Sequence, residues 1–578
     1  MIASNTTTTQ LVEDLLATFS DPHACVAELL CDRHPADAVA FTIVEPDRSV
    51  RKLTFGELQD SSRRFAVALA DLGVEQGDRV ATLMGKSAEL VIALVGIWRR
   101  GAVHVPLFTA FAPPAIAYRL DQSAAKLIVT DFSQRNKLDP GDDIPQAPPW
   151  TVIVAGGEPV GENHFTTLLA ASDPHDPRGD AVAVGGAAEF GRLFTSGTTG
   201  NPKGVPIPVK AIASFLTYFR LGLGVRDDDV FWNAADPGWG FGLYYGIIAP
   251  LAAGHANILL HAGFSPELTY WVLSRLRVTN FAAAPTVYRV LRSSDLPVPT
   301  DLALQRCSAA GEPLNPEVIS WSQHVLGVPV HDTYGQTEHG MCIVNGWHPD
   351  IARPLKPGSM GHPMPGWQTE VFLDERDEVA PPGTAGRVVI DVANSPLMWF
   401  TQYVDAPAKT AERFSPDRRW FYTGDAGSRD AEGYFTFSAR DDDVIIMAGY
   451  RIGPIEVENV LLAHPGVAEA AVIGVPDELR GESLEAFVVL RAGETRSDQL
   501  AKELQQWVKR KFAAHAFPRI VHFEENLPTT PSGKIQRGVL RKRRQAEVLA
   551  ARETQNHSPD RSQQRTRPVA QDERPRHR

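Results

Sequence analysis

A ten-residue segment, Thr195 to Gly204, combines the chemical groups that bind a phosphate. Glycines let backbone N–H groups converge on an anion, hydroxyls donate further hydrogen bonds, and a lysine supplies a positive charge. The segment contains hydroxyl residues, glycines and a lysine at Thr195, Ser196, Gly197, Thr198, Thr199, Gly200, Lys203 and Gly204. It is not a Walker A loop, because Lys203 follows a proline and precedes a glycine. The sequence predicts a triphosphate cradle; the alternative is a glycine-rich surface turn.

Three other charged residues stand in motifs that could do chemistry. Asp425 follows Thr423 and Gly424, where a carboxylate either accepts hydrogen bonds from two ligand hydroxyls or closes an Asx turn. Glu338 follows Thr337, and in isolation it reads as a surface glutamate. Lys534 follows a Pro-Ser-Gly turn, and composition alone makes it a solvated surface charge. None of these three assigns a function by itself.

The order of apolar runs and glycines predicts sheets covered by helices. An apolar run at 79–84, a helical stretch at 88–98 and a second apolar run at 103–107 have the rhythm of a βαβ unit. Helix-then-strand patterns recur at 116–131 and 317–333. The fold class is therefore α/β, with a large N-terminal domain of several subdomains over residues 1–440.

The last part of the chain has a different composition. Three consecutive aspartates at 441–443 precede an apolar run, and a helix at 455–462 stands among short strands. This pattern predicts a separate, small α+β domain over residues 441–548. Residues 549–578 are polar and carry almost nothing apolar after Ala551, so we expect a disordered, solvated tail.

Composition excludes several classes of protein. The chain has 578 residues and a formal net charge of −12, which gives no reason to expect a nucleic-acid partner. The longest apolar run near the N-terminus, residues 90–98, is far shorter than the ~18 residues that span a bilayer. The N-terminus lacks the pattern of a signal peptide, and the four cysteines form no Cys-x-x-Cys pair. We expect a cytoplasmic protein without integral membrane association.

Further motifs follow the phosphate segment in a fixed order. They are Tyr334-Gly335-Gln336-Thr337-Glu338, Tyr422-Thr423-Gly424-Asp425, Arg440 with Asp442, Gly449 to Pro454 with Glu456, and Pro531-Ser532-Gly533-Lys534. Together with the phosphate segment they resemble the acyl-adenylate-forming (AMP-binding) superfamily over about residues 25 to 545. The pattern is most similar to the short-chain and medium-chain acyl-CoA synthetases. The resemblance implies ATP, Mg²⁺ and CoA as cofactors and a carboxylic acid as substrate.

The resemblance also implies a nucleotide site. Tyr334 resembles the adenine-stacking residue and Asp425 the ribose ligand. Glu338 would hold Mg²⁺, and the Thr337 hydroxyl would bond the α-phosphate. Arg440 would reach ribose and phosphate, unless it forms only a salt bridge at the domain border. Gly311, Glu312 and Pro313, after Ala310, resemble the other wall of the adenine slot, where glycine allows the backbone to approach the ring closely. The remaining nucleotide contacts implied by the resemblance are Asp332, Thr333, Gly335 and Gln336.

The C-terminal domain is implied to be mobile. In family members the lysine matching Lys534 bridges the substrate carboxylate and the α-phosphate during adenylation. Asp442 resembles the hinge about which this domain then rotates, so that the CoA thiol reaches the acyl-adenylate. Gly449, Tyr450 and Arg451 resemble the loop exposed by that rotation. Arg480 resembles a CoA-phosphate contact, and a surface arginine in a turn is an equally good interpretation.

The acyl pocket carries the specificity. The segment Asp236 to Phe241 resembles its lining, with Trp239 and Gly240 at the wall, although Trp239 reads equally well as a core residue. Acetate-specific relatives place Trp at the position of Gly335, so we expect glycine to leave space for a longer acid. The alternative is that the backbone itself requires glycine there, with a positive φ beside Tyr334.

Some positions depart from the family pattern. His339 stands where Thr is common, Ala516 where a lysine near CoA is common, and residues 446–448 lack the usual small hydroxyl side chains. These departures concern CoA contacts more than adenylation. The sequence therefore predicts an acyl-CoA synthetase of fatty acid metabolism for a medium-chain, branched or aromatic acid. The alternatives are an enzyme that loads an acyl carrier protein, an acetyl- or propionyl-CoA synthetase, and a silent nucleotide-binding protein.

Overall fold

The computed structural model describes most of the chain. The described residues are 7–158, 163–195, 202–373, 376–440, 443–447, 450–477, 481–512, 516–530 and 535–556. For residues 446, 450, 451, 481 and 549–556 only the backbone is described. These residues form two compact units that divide between Val444 and Ile445.

A nine-stranded sheet organises the first unit. From one edge to the other its strands are β15 (His362–Pro363), β14 (Gly340–Val344), β13 (Val330–Gln336), β12 (Arg306–Ala310), β11 (Asn280–Ala283), β9 (Phe231–Asn233), β10 (Asn257–Leu260), β1 (Val39–Val44) and β2 (Val50–Thr54). Strands β1 and β9 to β13 pair in parallel, while β14, β15 and β2 are antiparallel edge strands. The carboxyl ends of the parallel strands therefore share one edge, where ligands bind in open α/β sheets.

A six-stranded sheet carries the start of the phosphate segment. Its order is β6 (Thr151–Ala155), β5 (Leu127–Asp131), β3 (Arg79–Leu83), β4 (Val103–Pro106), β7 (Glu189–Thr195) and β8 (Lys203–Pro208). All four residues of β4 and most residues of β3 and β5 are buried, as in a parallel sheet covered on both faces. The βαβ unit predicted around residues 79–107 is confirmed, with β3 and β4 paired in parallel.

A four-stranded antiparallel sheet completes the strands of this unit. Its order is β16 (Thr369–Phe372), β17 (Ala385–Asp391), β18 (Trp420–Arg429) and β19 (Phe435–Arg440). Asp425 on β18 pairs directly with Arg440 on β19.

Helices cover these sheets. They are α1 (Thr8–Phe19), α2 (Phe55–Asp71), α3 (Ala88–Arg99), α4 (Pro113–Ser123), α5 (Phe165–Ala171), α6 (Ala211–Thr217), α7 (Gly240–Gly242), α8 (Ala249–Ala253), α9 (Pro266–Arg275), α10 (Pro285–Ser293), α11 (Pro316–Val325) and α12 (Pro407–Ala411). A capping box formed by Thr54 and Glu57 begins α2, and Ser87 caps α3. The fold class predicted from the sequence is confirmed.

The second unit is a mixed sheet with helices. Strands β21 (Tyr450–Ile452), β20 (Ile445–Met447), β23 (Gly481–Leu490) and β22 (Val467–Asp477) follow one another, and β24 (Ile520–Glu524) pairs with β23. The helices are α13 (Pro454–Leu462), α14 (Asp498–Lys511) and α15 (Arg537–Asn556).

Helix α15 extends further than the composition suggests. Residues 549–556, assigned above to a disordered tail, belong to this helix. Their sequence, Leu-Ala-Ala-Arg-Glu-Thr-Gln-Asn, begins with strong helix formers, which favour continuation of the helix. Residues 557–578 lie outside the described residues. Among the described helices, none is long and apolar enough to cross a membrane.

Candidate active site

The ends of β12 and β13 position one wall of the site. Ala310 pairs with Thr333 across the parallel ladder, and the Thr333 hydroxyl donates to the carbonyl oxygen of Ala309 at 2.9 Å. Gly311 to Pro313 follow β12, while Asp332 to Gln336 lie at the end of β13. The residues assigned to the two sides of the adenine slot therefore lie at the same sheet edge.

Gly311 permits a close contact with Trp239. Its φ is +91°, and a Cβ atom there would lie 2.4 Å from Cζ2 of the Trp239 ring. Only glycine adopts this conformation easily and leaves room for the indole. Trp239, assigned to the acyl pocket, is half-buried and packs against the glycine of the adenine wall. The structure thus brings these two predicted subsites into contact.

Glu312 is already engaged within the protein. Its carboxylate accepts hydrogen bonds from Thr286 Oγ1 at 2.8 and 2.9 Å and from the Arg289 guanidinium. This places its side chain in a local ion pair and leaves the backbone of Gly311 to Pro313 as the wall.

Asp425 is the centre of a polar network. It is 3% exposed, and its Oδ2 accepts hydrogen bonds from Tyr334 Oη and Gln336 Nε2, each at 2.6 Å. Arg440 Nε lies 3.3 Å from Oδ1. Burial, and then the charge of Asp425, raise the pKa of Tyr334 well above its usual value, so the phenol stays protonated and donates. The structure therefore brings Tyr334 and Gln336 together with Asp425 and Arg440, which are distant from them in sequence.

Arg413 supports this network from the turn before β18. Its Nη2 donates to Gln336 Oε1 at 3.2 Å and to the carbonyl oxygen of Thr423 at 2.8 Å. Gly424, with φ +67°, passes so near that a Cβ atom would lie 2.5 Å from Arg413 Nη1. Arg413 could not be predicted from the sequence, because it belongs to no motif and its partners lie 77 and 10 residues away.

Tyr403 contacts both Glu338 and Lys203. Glu338 is 6% exposed, and its Oε1 accepts a hydrogen bond from Tyr403 Oη at 2.7 Å. The Lys203 ammonium lies 5.0 Å from the centroid of the Tyr403 ring. Burial, followed by the charges of Arg413 and Lys409, lowers the pKa of Lys203. Burial and then Glu338 raise that of the Tyr403 phenol. Tyr403 is a second residue that the motif search did not find.

Thr337 and Thr195 stand beside these groups. The carbonyl oxygen of Thr337 accepts from Tyr244 Oη at 3.0 Å, which fixes the backbone just before Glu338. Thr195 ends β7 and pairs with Lys203 at the start of β8. The strand pair thus positions both ends of the phosphate segment, whereas Ser196, Gly197, Thr198, Thr199 and Gly200 lie outside the described residues.

Gly335 is closely packed against the neighbouring strand β14. A Cβ atom added to it would lie 2.2 Å from the carbonyl oxygen of Gly340 and 2.7 Å from Cα of Met341. The β13–β14 pairing shifts register between Tyr334 and Gly335, which brings the two backbones together. This close packing counts against the expectation that Gly335 leaves space for a longer acid. Close packing favours the alternative that the backbone requires glycine here, but the expected positive φ is wrong, because Gly335 has none.

Gly240 has a more open surrounding. A Cβ atom there would lie 3.5 Å from Tyr244 Cε2 and 3.6 Å from Leu193 Cδ2, which is ordinary van der Waals contact. It begins α7 directly after Trp239. Of the three residues assigned to the acyl pocket, Trp239 and Gly240 therefore remain together.

Burial accounts for two departures from the family pattern, those at His339 and Ala516. His339 is fully buried, and burial lowers the pKa of its imidazole to about 3, so the ring is a neutral core group near Trp367 and Phe421. Ala516 is likewise buried, within the core of the second unit.

The remaining predicted residues cannot be placed. Asp442, Gly449, Arg480 and Lys534 lie outside the described residues, and Tyr450 and Arg451 are described as backbone in β21 only.

Known proteins share this organisation. The family model for the AMP-binding enzyme matches residues 28–395, and that for the AMP-binding enzyme C-terminal domain matches residues 456–534. Acetyl-coenzyme A synthetase of Bacillus subtilis (strain 168) is 38% identical over 494 residues, 85% of each chain.

Two solved structures are similar over nearly the whole chain. An acyl-CoA synthetase of Brucella canis has a TM-score of 0.70 and 42% identity, covering 93% of this chain and 97% of its own. A benzoate CoA ligase from Burkholderia xenovorans LB400 has a TM-score of 0.77 and 28% identity, covering 92% and 99%.

The fold and motifs define a nucleotide-binding α/β enzyme of two units. The chain belongs to the AMP-binding enzyme family and is an AMP-forming acyl-CoA synthetase, an acid–thiol ligase. It adenylates a carboxylic acid with ATP and forms the thioester with CoA.

Proposed function

We propose that this synthetase activates a carboxylic acid larger than acetate, namely a medium-chain, branched or aromatic acid, in the cytoplasm. The nucleotide site rests on one observation above all, the convergence of Tyr334, Gln336 and Arg440 on the buried carboxylate of Asp425. A buried carboxylate is costly unless charged or hydrogen-bonding partners surround it. In this proposal its remaining acceptor capacity binds the ribose hydroxyls of ATP.

The phosphates lie between Lys203 and Glu338 in this proposal. Lys203 neutralises the triphosphate in this proposal, and Glu338 would hold Mg²⁺. The residues fit such an ion: Tyr403 uses one lone pair of Oε1, and a carboxylate offers about four acceptor positions. Bound Mg²⁺ would neutralise charge that develops on the phosphates. The Thr337 hydroxyl donates to the α-phosphate, and Lys534 joins the acid carboxylate to it.

The thioester step involves the second unit. We assign the CoA-side contacts to Gly449, Tyr450, Arg451 and Arg480, and rotation about Asp442 would bring them to the acyl-adenylate. This assignment is supported by the family motifs, and the unit boundary after Val444 stands two residues beyond the proposed hinge.

The acid is proposed to lie beside Trp239 and Gly240. An indole wall next to the adenine slot suits an apolar acid, and the similar benzoate CoA ligase supports an aromatic one. A second candidate, acetate or propionate, is favoured by the acetyl-coenzyme A synthetase relative.

A panel of acids separates these candidates. We expect acid-dependent pyrophosphate release, followed by acyl-CoA formation, to give kcat/KM at least tenfold higher for octanoate or benzoate than for acetate. A preference for acetate or propionate would establish the second candidate. Replacing CoA by a phosphopantetheinyl carrier protein tests the carrier alternative in the same assay. The Asp425→Asn variant, which removes the ribose ligand charge, should raise the KM for ATP without reordering the acids.

A further inference from the structure

Tyr403 joins two groups that the adenylation chemistry needs. Its hydroxyl donates to Glu338 Oε1 at 2.7 Å, and its ring face carries the Lys203 ammonium 5.0 Å from the centroid. Tyr403 lies 65 residues from Glu338 in sequence. A cation over an aromatic face and a hydroxyl on a carboxylate are both favourable contacts that fix the direction of a charged side chain.

Tyr403 is itself firmly held. It is 4% exposed, its N–H donates to Thr410 Oγ1 at 3.0 Å, and its ring packs against Phe400 with centroids 4.9 Å apart. The next residue, Val404, donates its N–H to the carbonyl oxygen of Gly204, which follows Lys203. The segment around Tyr403 therefore binds β8 through the backbone and Glu338 through the side chain.

We propose that Tyr403 is a positioning residue for adenylation, which sets the direction of the Glu338 carboxylate by its hydroxyl and of the Lys203 ammonium by its ring. Both groups are then oriented before Mg²⁺ and ATP arrive, so binding does not have to order them. The two contacts use different parts of one side chain. They can therefore be removed separately.

The hydroxyl is tested with Tyr403→Phe, which keeps the ring under Lys203. This inference rests on the proposed metal role of Glu338, so binding is measured by calorimetry with ATP in EDTA and again with ATP and Mg²⁺. We expect the affinity for ATP in EDTA to be unchanged. The affinity for ATP in the presence of Mg²⁺ should be about tenfold weaker, the usual effect of losing a hydrogen bond to a charged group. Tyr403→Leu also removes the ring, so the affinity for ATP in EDTA should fall too.

The chain offers a matched control in Tyr434. Its hydroxyl donates to the carbonyl oxygen of Pro354 at 2.6 Å, and Lys356 lies over its ring 4.3 Å from the centroid. Tyr434→Phe therefore removes a comparable buried hydroxyl beneath a lysine, with no carboxylate of the site attached. We expect wild-type values in both titrations.

Glu338→Gln distinguishes failure of this inference from failure of the proposed metal site. The Mg²⁺-dependent part of the affinity is the gain in ATP affinity when Mg²⁺ replaces EDTA. If Glu338→Gln weakens this part and Tyr403→Phe does not, Tyr403 has no positioning role. If Glu338→Gln leaves that part unchanged, the metal assignment itself is wrong. Support requires that Tyr403→Phe adds nothing in the Glu338→Gln background, as expected for residues that act through one another.

Discussion

At the scale of single residues, the buried carboxylate of Asp425 depends on its hydrogen-bonding partners. A carboxylate with 3% exposure would be unstable alone, but two hydrogen bonds at 2.6 Å and a neighbouring guanidinium offset its desolvation. The same contacts hold the Tyr334 ring, because its hydroxyl is one of the donors. The aromatic wall and the ribose ligand are therefore fixed by one another.

Gly335→Ala should damage the nucleotide site rather than alter the acid preference. Its Cβ would meet the Gly340 carbonyl oxygen at 2.2 Å, so the β13–β14 hairpin must shift next to Tyr334. We expect a lower melting temperature and a KM for ATP raised severalfold, with the ranking of acetate, butyrate, octanoate and benzoate unchanged. Steady-state kinetics and thermal unfolding measure both effects.

Gly240→Ala provides the comparison for that variant. Its Cβ fits at 3.5 Å from Tyr244 and adds one methyl group beside Trp239, so the fold and the KM for ATP should stay as in the wild type. Loss of space for one methylene is worth about 0.8 kcal/mol, a fourfold shift toward shorter acids. If Gly335→Ala reorders the acids and Gly240→Ala does not, the acyl pocket lies at Gly335 after all.

Sequence motifs identified candidate site residues, but they did not predict which side chains surround them in the folded protein. Asp425 and Glu338 were found because their neighbours in sequence are distinctive, whereas Tyr403 and Arg413 contact the site only through folding. The direction of a Cβ vector, which matters at Gly335, depends on strand register and a local irregularity. Sequence spacing does not encode it.

At the scale of elements, one carboxylate ties the second unit together. Glu485 on β23 accepts from His522 on β24 at 2.7 Å and from Arg544 on α15 at 2.8 Å. Burial alone would raise the pKa of Glu485, but these two hydrogen bonds outweigh it and the pKa lies below its usual value. The stabilisation is therefore complete above the unfolded pKa of about 4.5 and is lost as the pH falls through the folded pKa.

Glu485→Gln should loosen α15. The variant removes the negative charge that Arg544 and His522 face, so we expect the free energy of unfolding of this unit to fall by about 2 kcal/mol at pH 7. The difference from the wild type should shrink toward pH 3. Hydrogen exchange of residues 537–548 in the full chain, corrected for intrinsic rates, measures it.

Glu547→Gln is the control on the same helix. Glu547 lies 3.2 Å from Arg544 but is half exposed, and exposed ion pairs contribute little. Equal exchange in both variants would show that Glu485 does not anchor α15.

Periodicity predicted several elements of the fold, because local sequence decides them. The strand at 79–84 and the helix at 88–98 appear as β3 and α3 with small shifts of their ends. The sheet order could not be predicted, since β9 stands between β10 and β11 through pairings that the linear order does not specify. The length of α15 was also missed, because helix propensity outweighed the lack of apolar residues after Ala551.

At the scale of the whole molecule, one site is proposed to carry out both half-reactions. The second unit would take one position for adenylation and another for thioester formation. Lys534→Ala should then impair adenylation by ~10²–10³, the typical effect of losing one preorganised donor. Thioester formation from a supplied acyl-adenylate should stay near the wild-type rate. Pyrophosphate release measures the first step, and acyl-CoA formation from the synthetic adenylate the second. Equal loss in both steps would contradict a lysine that faces the site only during adenylation.

Asp442→Pro tests the rotation from the other side. Proline fixes φ and restricts the residue before it, so a hinge at 442 would lose the dihedral change that reorients the second unit. The unit boundary lies between Val444 and Ile445, close enough for a change at 442 to redirect everything that follows. We expect adenylation to survive and thioester formation to fall, which is the reverse of the Lys534→Ala defect. Asp442→Ala, which removes the same side chain but leaves φ free to change, is the matched control. Wild-type rates for Asp442→Pro in both steps, or the same loss in both variants, would contradict rotation about φ of residue 442.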